Sequence, residues 1–234
     1  MYLSTTISSI FVPRINRFVE QGNRDKELSD LFIRVGKIQF VILYAVLLGY
    51  TLFGQRFMQL WVGDSYYMSY FVAMILIFPN TINLIQNVGY EIQRAKGLQK
   101  YRSMMWLGIA TLNVIISIFL IKKYEECGAA LGTAIAWIIG SGVMMNWFYA
   151  RYVALDVKRF WHEILFVAKG GILPIIPFII FYDYFLDCPI TMYFVGIVVF
   201  TILYAVCMLF GGIRKSERHE IMTMAMNRLN LKMK

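Results

Sequence analysis

Apolar residues fall into six long blocks, residues 38–57, 67–90, 104–121, 129–149, 164–186 and 190–210, separated by short stretches that carry most of the charge. At 1.5 Å of rise per residue, each block makes a helix long enough to cross roughly 30 Å of hydrocarbon. None shows the ten-residue alternation of a membrane β-strand. The pattern predicts an all-α, polytopic membrane bundle of six complete spans.

Three flanking segments complete the expected organisation. Residues 1–19 begin apolar but reach only residue 12 before Pro13 and Arg14, too short to span, with the charge following the apolar run rather than preceding it as in a signal peptide. They read as the end of an earlier, truncated membrane helix. Residues 20–37 read as a basic loop, and residues 211–234, with Ile221, Met224, Met226 and Leu229 set among Lys and Arg, as an amphipathic surface helix.

Composition sharpens this picture. The 234 residues are 59% hydrophobic and 16% charged, far from the balance of a soluble domain. The formal charge of +9 does not point to nucleic acid, because the basic residues sit between apolar runs instead of forming one patch. They also alternate. Arg14, Arg17, Arg24, Lys26, Arg34 and Lys37 precede the first span; Arg94, Lys96, Lys100 and Arg102 follow the second; Arg151, Lys158 and Arg159 follow the fourth; and the C-terminal tail adds six. The intervening connections hold Arg56, then Lys122 and Lys123, then none. Positive charge is retained on the cytoplasmic side, so both ends of the six-span unit are expected there. Trp61, Tyr66, Tyr67, Trp147, Tyr149, Tyr152 and Trp161 gather at span ends, as an interfacial aromatic belt does.

The second span holds the most polar interior. At 100° per residue, Asn80, Asn83, Asn87, Tyr90 and Arg94 share an arc of about 80°, with Gln86 beside it. Such a stripe does not face lipid. One reading is a cavity wall that hydrogen-bonds a polyhydroxylated or phosphorylated substrate, with Arg94 at its mouth. The other is interhelical glue, the usual work of membrane Asn and Gln. The number of amides on one face favours the cavity. Pro79 predicts a kink there, and Pro174 and Pro177 predict a bend in the fifth span; all three are hinge candidates. Asn113 and Asn146 are isolated polar positions and weaker cavity candidates. Gly128, Gly132, Ala136 and Gly140 recur every fourth residue, a ridge suited to close helix packing.

Little points to catalysis. The chain has no GxSxG, no phosphate-binding or dinucleotide fingerprint, and its two His and three Cys make no metal-ligand spacing. No metal, cofactor or enzyme activity is expected. Cys127 and Cys188 map to the same side of the membrane, where a disulfide is chemically allowed and the sequence gives no geometry for it.

Several short patterns together resemble the bacterial polysaccharide flippases, the O-antigen and capsule exporters of the multidrug, oligosaccharidyl-lipid and polysaccharide exporter superfamily. They are Pro13 with its basic flank, the Gly22-Asn23-Arg24-Asp25 turn, Leu60-Trp61-Val62-Gly63 followed by Tyr66-Tyr67, and Tyr124 with Gly128-Ala129-Ala130-Leu131-Gly132-Thr133. The last is similar to a YGxxGAAxGT pattern at the start of a span, although Glu125, Glu126 and Cys127 depart from it. The resemblance covers nearly the whole chain but only the C-terminal half of a 14-helix, MATE-like fold. It implies translocation of undecaprenyl-diphosphate-linked oligosaccharide between leaflets by alternating access, and a cavity-facing second span. Implied partners are membrane lipid, the lipid-linked oligosaccharide, an N-terminal lobe and other polysaccharide-assembly membrane proteins. Two alternatives remain: a drug or small-solute exporter of the same superfamily, and a structural or non-functional membrane fragment.

Overall fold

In the computed structural model, residues 2–63 and 67–212 are described; the expected amphipathic tail over 213–234 and Tyr66 of the aromatic belt lie outside them. The described chain is helical. Two short helices, α1 (Tyr2–Ile10) and α2 (Val12–Gln21), lead into α3 (Asp25–Val62). The second span is divided into α4 (Tyr67–Leu84) and α5 (Asn87–Ala95), and α6 (Gln99–Trp137) carries the third span and part of the fourth. The fourth continues through wide π-type turns at Ile138–Met144 and Tyr149–Val153, on either side of α7 (Met145–Phe148). The fifth comprises α8 (Val157–Gly170), a 3-10 turn at Leu173–Ile175, α9 (Ile176–Ile180) and α10 (Tyr182–Asp187), and the sixth is α11 (Ile190–Cys207). Among the described residues, six stretches are long and apolar enough to cross a membrane: Asp25–Val62, Tyr67–Ala95, Gln99–Glu125, Cys127–Val153, Val157–Ile180 and Ile190–Gly212. These match the six expected spans in number and order.

Several boundaries differ from the sequence reading. Residues 25–37 are helix rather than loop, so α3 runs 38 residues. Asp25 and Glu27 in its first turn complement the helix dipole, and Leu28, Leu31, Phe32, Ile33 and Val35 bury one face, which gives this charged stretch a reason to stay helical. The segment before it is two helices that meet at Phe11, with Pro13 in the first turn of α2, where a missing N–H costs nothing. Gly22 and Asn23, both at positive φ (62° and 51°), turn the chain into α3. The third and fourth spans are joined at Glu125 (φ 49°, ψ −124°), with no longer loop between them.

The chain divides into two compact units, Met1–Ile164 and Leu165–Lys234. In the first, Phe32 stacks on Phe160 with ring centroids 4.3 Å apart and meets Tyr149 edge-on at 5.9 Å. Gly36 and Gly89 allow this, since a methyl group at either would come within 2.5 Å of Phe160 and 2.9 Å of Tyr149 respectively. The expected glycine ridge packs the third and fourth spans together as an antiparallel pair. Added methyls at Gly128, Gly132 and Gly140 would strike Leu120, Ser117 and Ile109 in turn, and Ala136 between them is fully buried.

Ion pairs gather one end of this unit. Lys96 reaches Asp25 at 2.6 Å and the Val153 carbonyl at 2.7 Å, Arg159 reaches Asp30 at 2.6 Å, and Lys37 reaches Glu163 at 3.1 Å. The Asp156 backbone N–H donates to Ser29 Oγ at 3.1 Å. The basic connections before the first span, after the second and after the fourth therefore lie together, as their alternation along the chain requires. In the second unit, Phe178 packs on Phe185 and Phe200, each at 5.5 Å, and Gly196 lies under the Phe185 ring.

Candidate functional site

The polar stripe of the second span is where a site was expected. Pro79 lies inside an unbroken α4, and the interruption comes at Ile85 and Gln86, between α4 and α5. There the Leu84 carbonyl accepts from Ser4 Oγ at 2.7 Å, a side-chain substitute for a backbone donor. The helix is thus interrupted about two turns after Pro79, where the Ser4 hydroxyl can satisfy the opened backbone.

Around this break the stripe is knitted into its neighbours. Asn87 Nδ2 donates to Ser4 Oγ at 2.6 Å, and Gln39 Nε2 donates to the Ser4 carbonyl and to Ser8 Oγ, both at 2.9 Å. One polar cluster therefore joins α1, α3 and α5. Asn83 Oδ1 accepts from the Tyr90 hydroxyl and from Ser141 Oγ, the latter at 3.2 Å, and so ties the second span to the fourth. Gln86 is wholly buried, and neither its Nε2 nor its Oε1 has a partner among the described residues. Asn80, one turn before Asn83, is partly exposed and without a hydrogen bond among the described residues. Arg94 points outward, its side chain 68% exposed and 3.9 Å from Glu91.

The weaker candidates are also engaged. Asn113 Oδ1 accepts from Ser117 Oγ at 3.0 Å and Thr133 Oγ1 at 3.3 Å, inside the glycine-packed pair. Asn146 Nδ2 donates to the Ser141 and Gly142 carbonyls at 3.0 and 2.7 Å, and its Oδ1 accepts from Trp161 Nε1 at 3.1 Å. Those carbonyls belong to a π-type turn, whose widened hydrogen-bond ladder Asn146 repairs. In the fifth span the chain departs from regular α-helix at Gly171 and Ile172, just before Pro174 and Pro177.

Sequence reasoning missed Ser4, Ser8, Gln39, Ser141, Arg102 and the fully buried Gln93, whose Nε2 donates to the Leu98 carbonyl at 3.4 Å. Two signals were available. Ser4 and Ser8 are one turn apart, and Gln86 and Gln93, seven residues apart, share a helical face. Arg102 could not be found this way, because a loop places it. Gly97, at φ 71°, folds the chain between α5 and α6, and the Arg102 guanidinium lies over the Tyr90 ring, 4.2 Å from its centroid.

Two further cavities bear on function. In the second unit, Phe178, Phe181, Phe185, Met192, Val195 and Val199 line most of an apolar groove of about 490 Å³. At the basic end of the first unit, Asn23, Arg24, Asp25, Lys96, Leu98 and Tyr152 line much of a polar pocket of about 400 Å³. Among the described residues no three His, Cys, Asp or Glu side chains gather as metal ligands, and Cys127, Cys188 and Cys207 are free thiols. Comparison with known families, with curated proteins and with solved structures finds no match. Function therefore rests on the chain's own chemistry.

Proposed function

We propose that the chain moves lipid-linked oligosaccharide between leaflets, acting in a bacterial inner membrane with both ends of the six-span unit in the cytoplasm. The observation that carries this reading is the line of amides in the second span, whose helix is interrupted at Ile85 and Gln86. Broken membrane helices lined with polar groups are how transporters place substrate contacts within the bilayer. Asn80 is free to contact a glycan, while Asn83 and Tyr90 set the geometry beneath it.

A second reading is favoured by a specific observation: Asn83, Asn87, Asn113 and Asn146 all spend hydrogen bonds on neighbouring helices or on their own backbone. In that reading the bundle is a structural membrane module. Asn80 separates the two. The chain is reconstituted into vesicles, and movement of a fluorescent polyprenyl-diphosphate oligosaccharide between leaflets is followed by reductant quenching. A flippase moves the probe faster than protein-free vesicles do, and Asn80→Ala slows it several-fold with no change in melting temperature. Equal rates with and without protein establish the structural module.

A further inference from the structure

Four Lys or Arg side chains are partly shielded from solvent among the described residues: Lys37, Arg56, Lys96 and Arg102. Shielded cations are ordinarily paired, because desolvating a charge costs more than an exposed pair returns. Lys37 and Lys96 obey, with carboxylates at 3.1 and 2.6 Å. Arg102 does not. The Arg102 guanidinium carbon lies 4.2 Å from the Tyr90 ring centroid, and the group meets no carboxylate within 4 Å and no hydrogen-bond acceptor among the described residues.

We propose that Arg102 is a phosphate-binding residue, clamped on Tyr90 so that its in-plane N–H groups face a phosphate monoester or diphosphate at the basic end of the bundle. Contact with the ring uses none of the guanidinium N–H groups, and a guanidinium with unspent donors can capture a phosphate in bidentate fashion. The platform is held in turn. The Tyr90 hydroxyl donates to Asn83, which also holds Ser141, so ring and guanidinium are positioned by three spans. Beside them the Tyr149 hydroxyl is completely buried without a partner among the described residues, its ring 6.3 Å from that of Tyr90. Arg102 also stands in the first turns of α6, where Leu98 gives no side-chain cap to the open N–H groups, and the dipole adds to the attraction for an anion. Arg94, the residue the sequence favours for this role, is too exposed and too near Glu91 to match it.

The inference rests on the flippase reading for the source of the phosphate, a prenyl diphosphate; the same chemistry is offered by an anionic lipid headgroup. The whole chain in phosphatidylcholine nanodiscs is titrated with farnesyl diphosphate and, separately, with farnesol. Wild type is expected to bind the diphosphate saturably, and Arg102→Gln to weaken that binding by about tenfold or more, as loss of a charge-assisted pair implies. Farnesol binding stays unchanged. Arg102→Lys, which keeps the charge but loses the fork, weakens it less and covers the case in which Arg102→Gln fails to fold. Arg56→Gln, at the opposite end, has no effect.

Absence of saturable diphosphate binding by wild type overturns the proposal. So does an unchanged affinity in folded Arg102→Gln, or an equal loss in Arg56→Gln, which would mean general attraction rather than a site. Repeating the titration with phosphatidylglycerol in the discs identifies the source: competition that depends on Arg102 supports a headgroup as the natural occupant, and no competition supports the prenyl diphosphate. Arg102-dependent binding without leaflet exchange in the vesicle assay sinks the flippase reading and leaves the phosphate site standing.

Discussion

At the scale of single residues, the second span shows how differently neighbouring amides are used. Asn83 accepts from two hydroxyls, Asn87 donates to one, Asn80 meets none among the described residues, and Gln86 is buried with both polar atoms unpartnered there. An orphaned donor or acceptor costs about 1–3 kcal/mol, whereas a buried amide replaced by an apolar group of similar shape returns its desolvation penalty. Asn83→Ala strands the Tyr90 and Ser141 hydroxyls and is expected to destabilise the bundle by that amount. Gln86→Met is expected to raise stability. Thermal unfolding in detergent checks both, and a Gln86→Met variant that melts lower than wild type would reveal a polar partner for this side chain.

At the scale of elements, the helices are set by what each must bury and by where its backbone can be opened. The glycine ridge of α6 brings two spans into backbone contact, and the packing is so close at Gly132 that a methyl group would strike Ser117. Gly108, on the same helix, has nothing within 4 Å of the corresponding position. This matched pair separates helix propensity from packing. Gly132→Ala is expected to cost about 1–3 kcal/mol through overpacking, while Gly108→Ala is neutral or gains up to about 1 kcal/mol of propensity. Chemical or thermal unfolding of both variants reads the difference; equal effects would mean that the ridge does not form the contact. Span breaks follow a similar logic, because α4 continues past Pro79 and stops where Ser4 can cap the Leu84 carbonyl.

At the scale of the whole molecule, the connections sort by charge. Those before the first span, after the second and after the fourth meet through Lys96, Asp25, Asp30, Asp156 and Arg159, while Lys122 and Lys123 stand at the far end of the antiparallel third and fourth spans. With Cys127, Cys188 and Cys207 replaced by serine, single cysteines at Lys100 and Lys158 are expected to react with a membrane-impermeant maleimide from one side of the bilayer and one at Lys123 from the other. Labelling of all three from the same side would overturn the six-span topology.

The sequence by itself determined the number, order and helical character of the spans, the alternation of charge and the glycine ridge, because each is written in contiguous or strictly periodic residues. A run of 20 apolar residues has few ways to satisfy its backbone in hydrocarbon other than by forming a helix. Periodicity also placed the amides of the second span on one face. What lies opposite that face was decided by tertiary structure alone. Ser4 is 83 residues from Asn87 and Ser141 is 58 from Asn83, so whether these amides line a cavity or fasten helices depends on contacts that no local pattern encodes. The same holds for Arg102, an ordinary loop cation in the sequence, which a turn at Gly97 carries onto Tyr90. Its pairing state depends on which carboxylates the fold brings near, and in the folded chain Asp25, Asp30 and Glu163 are taken by other cations.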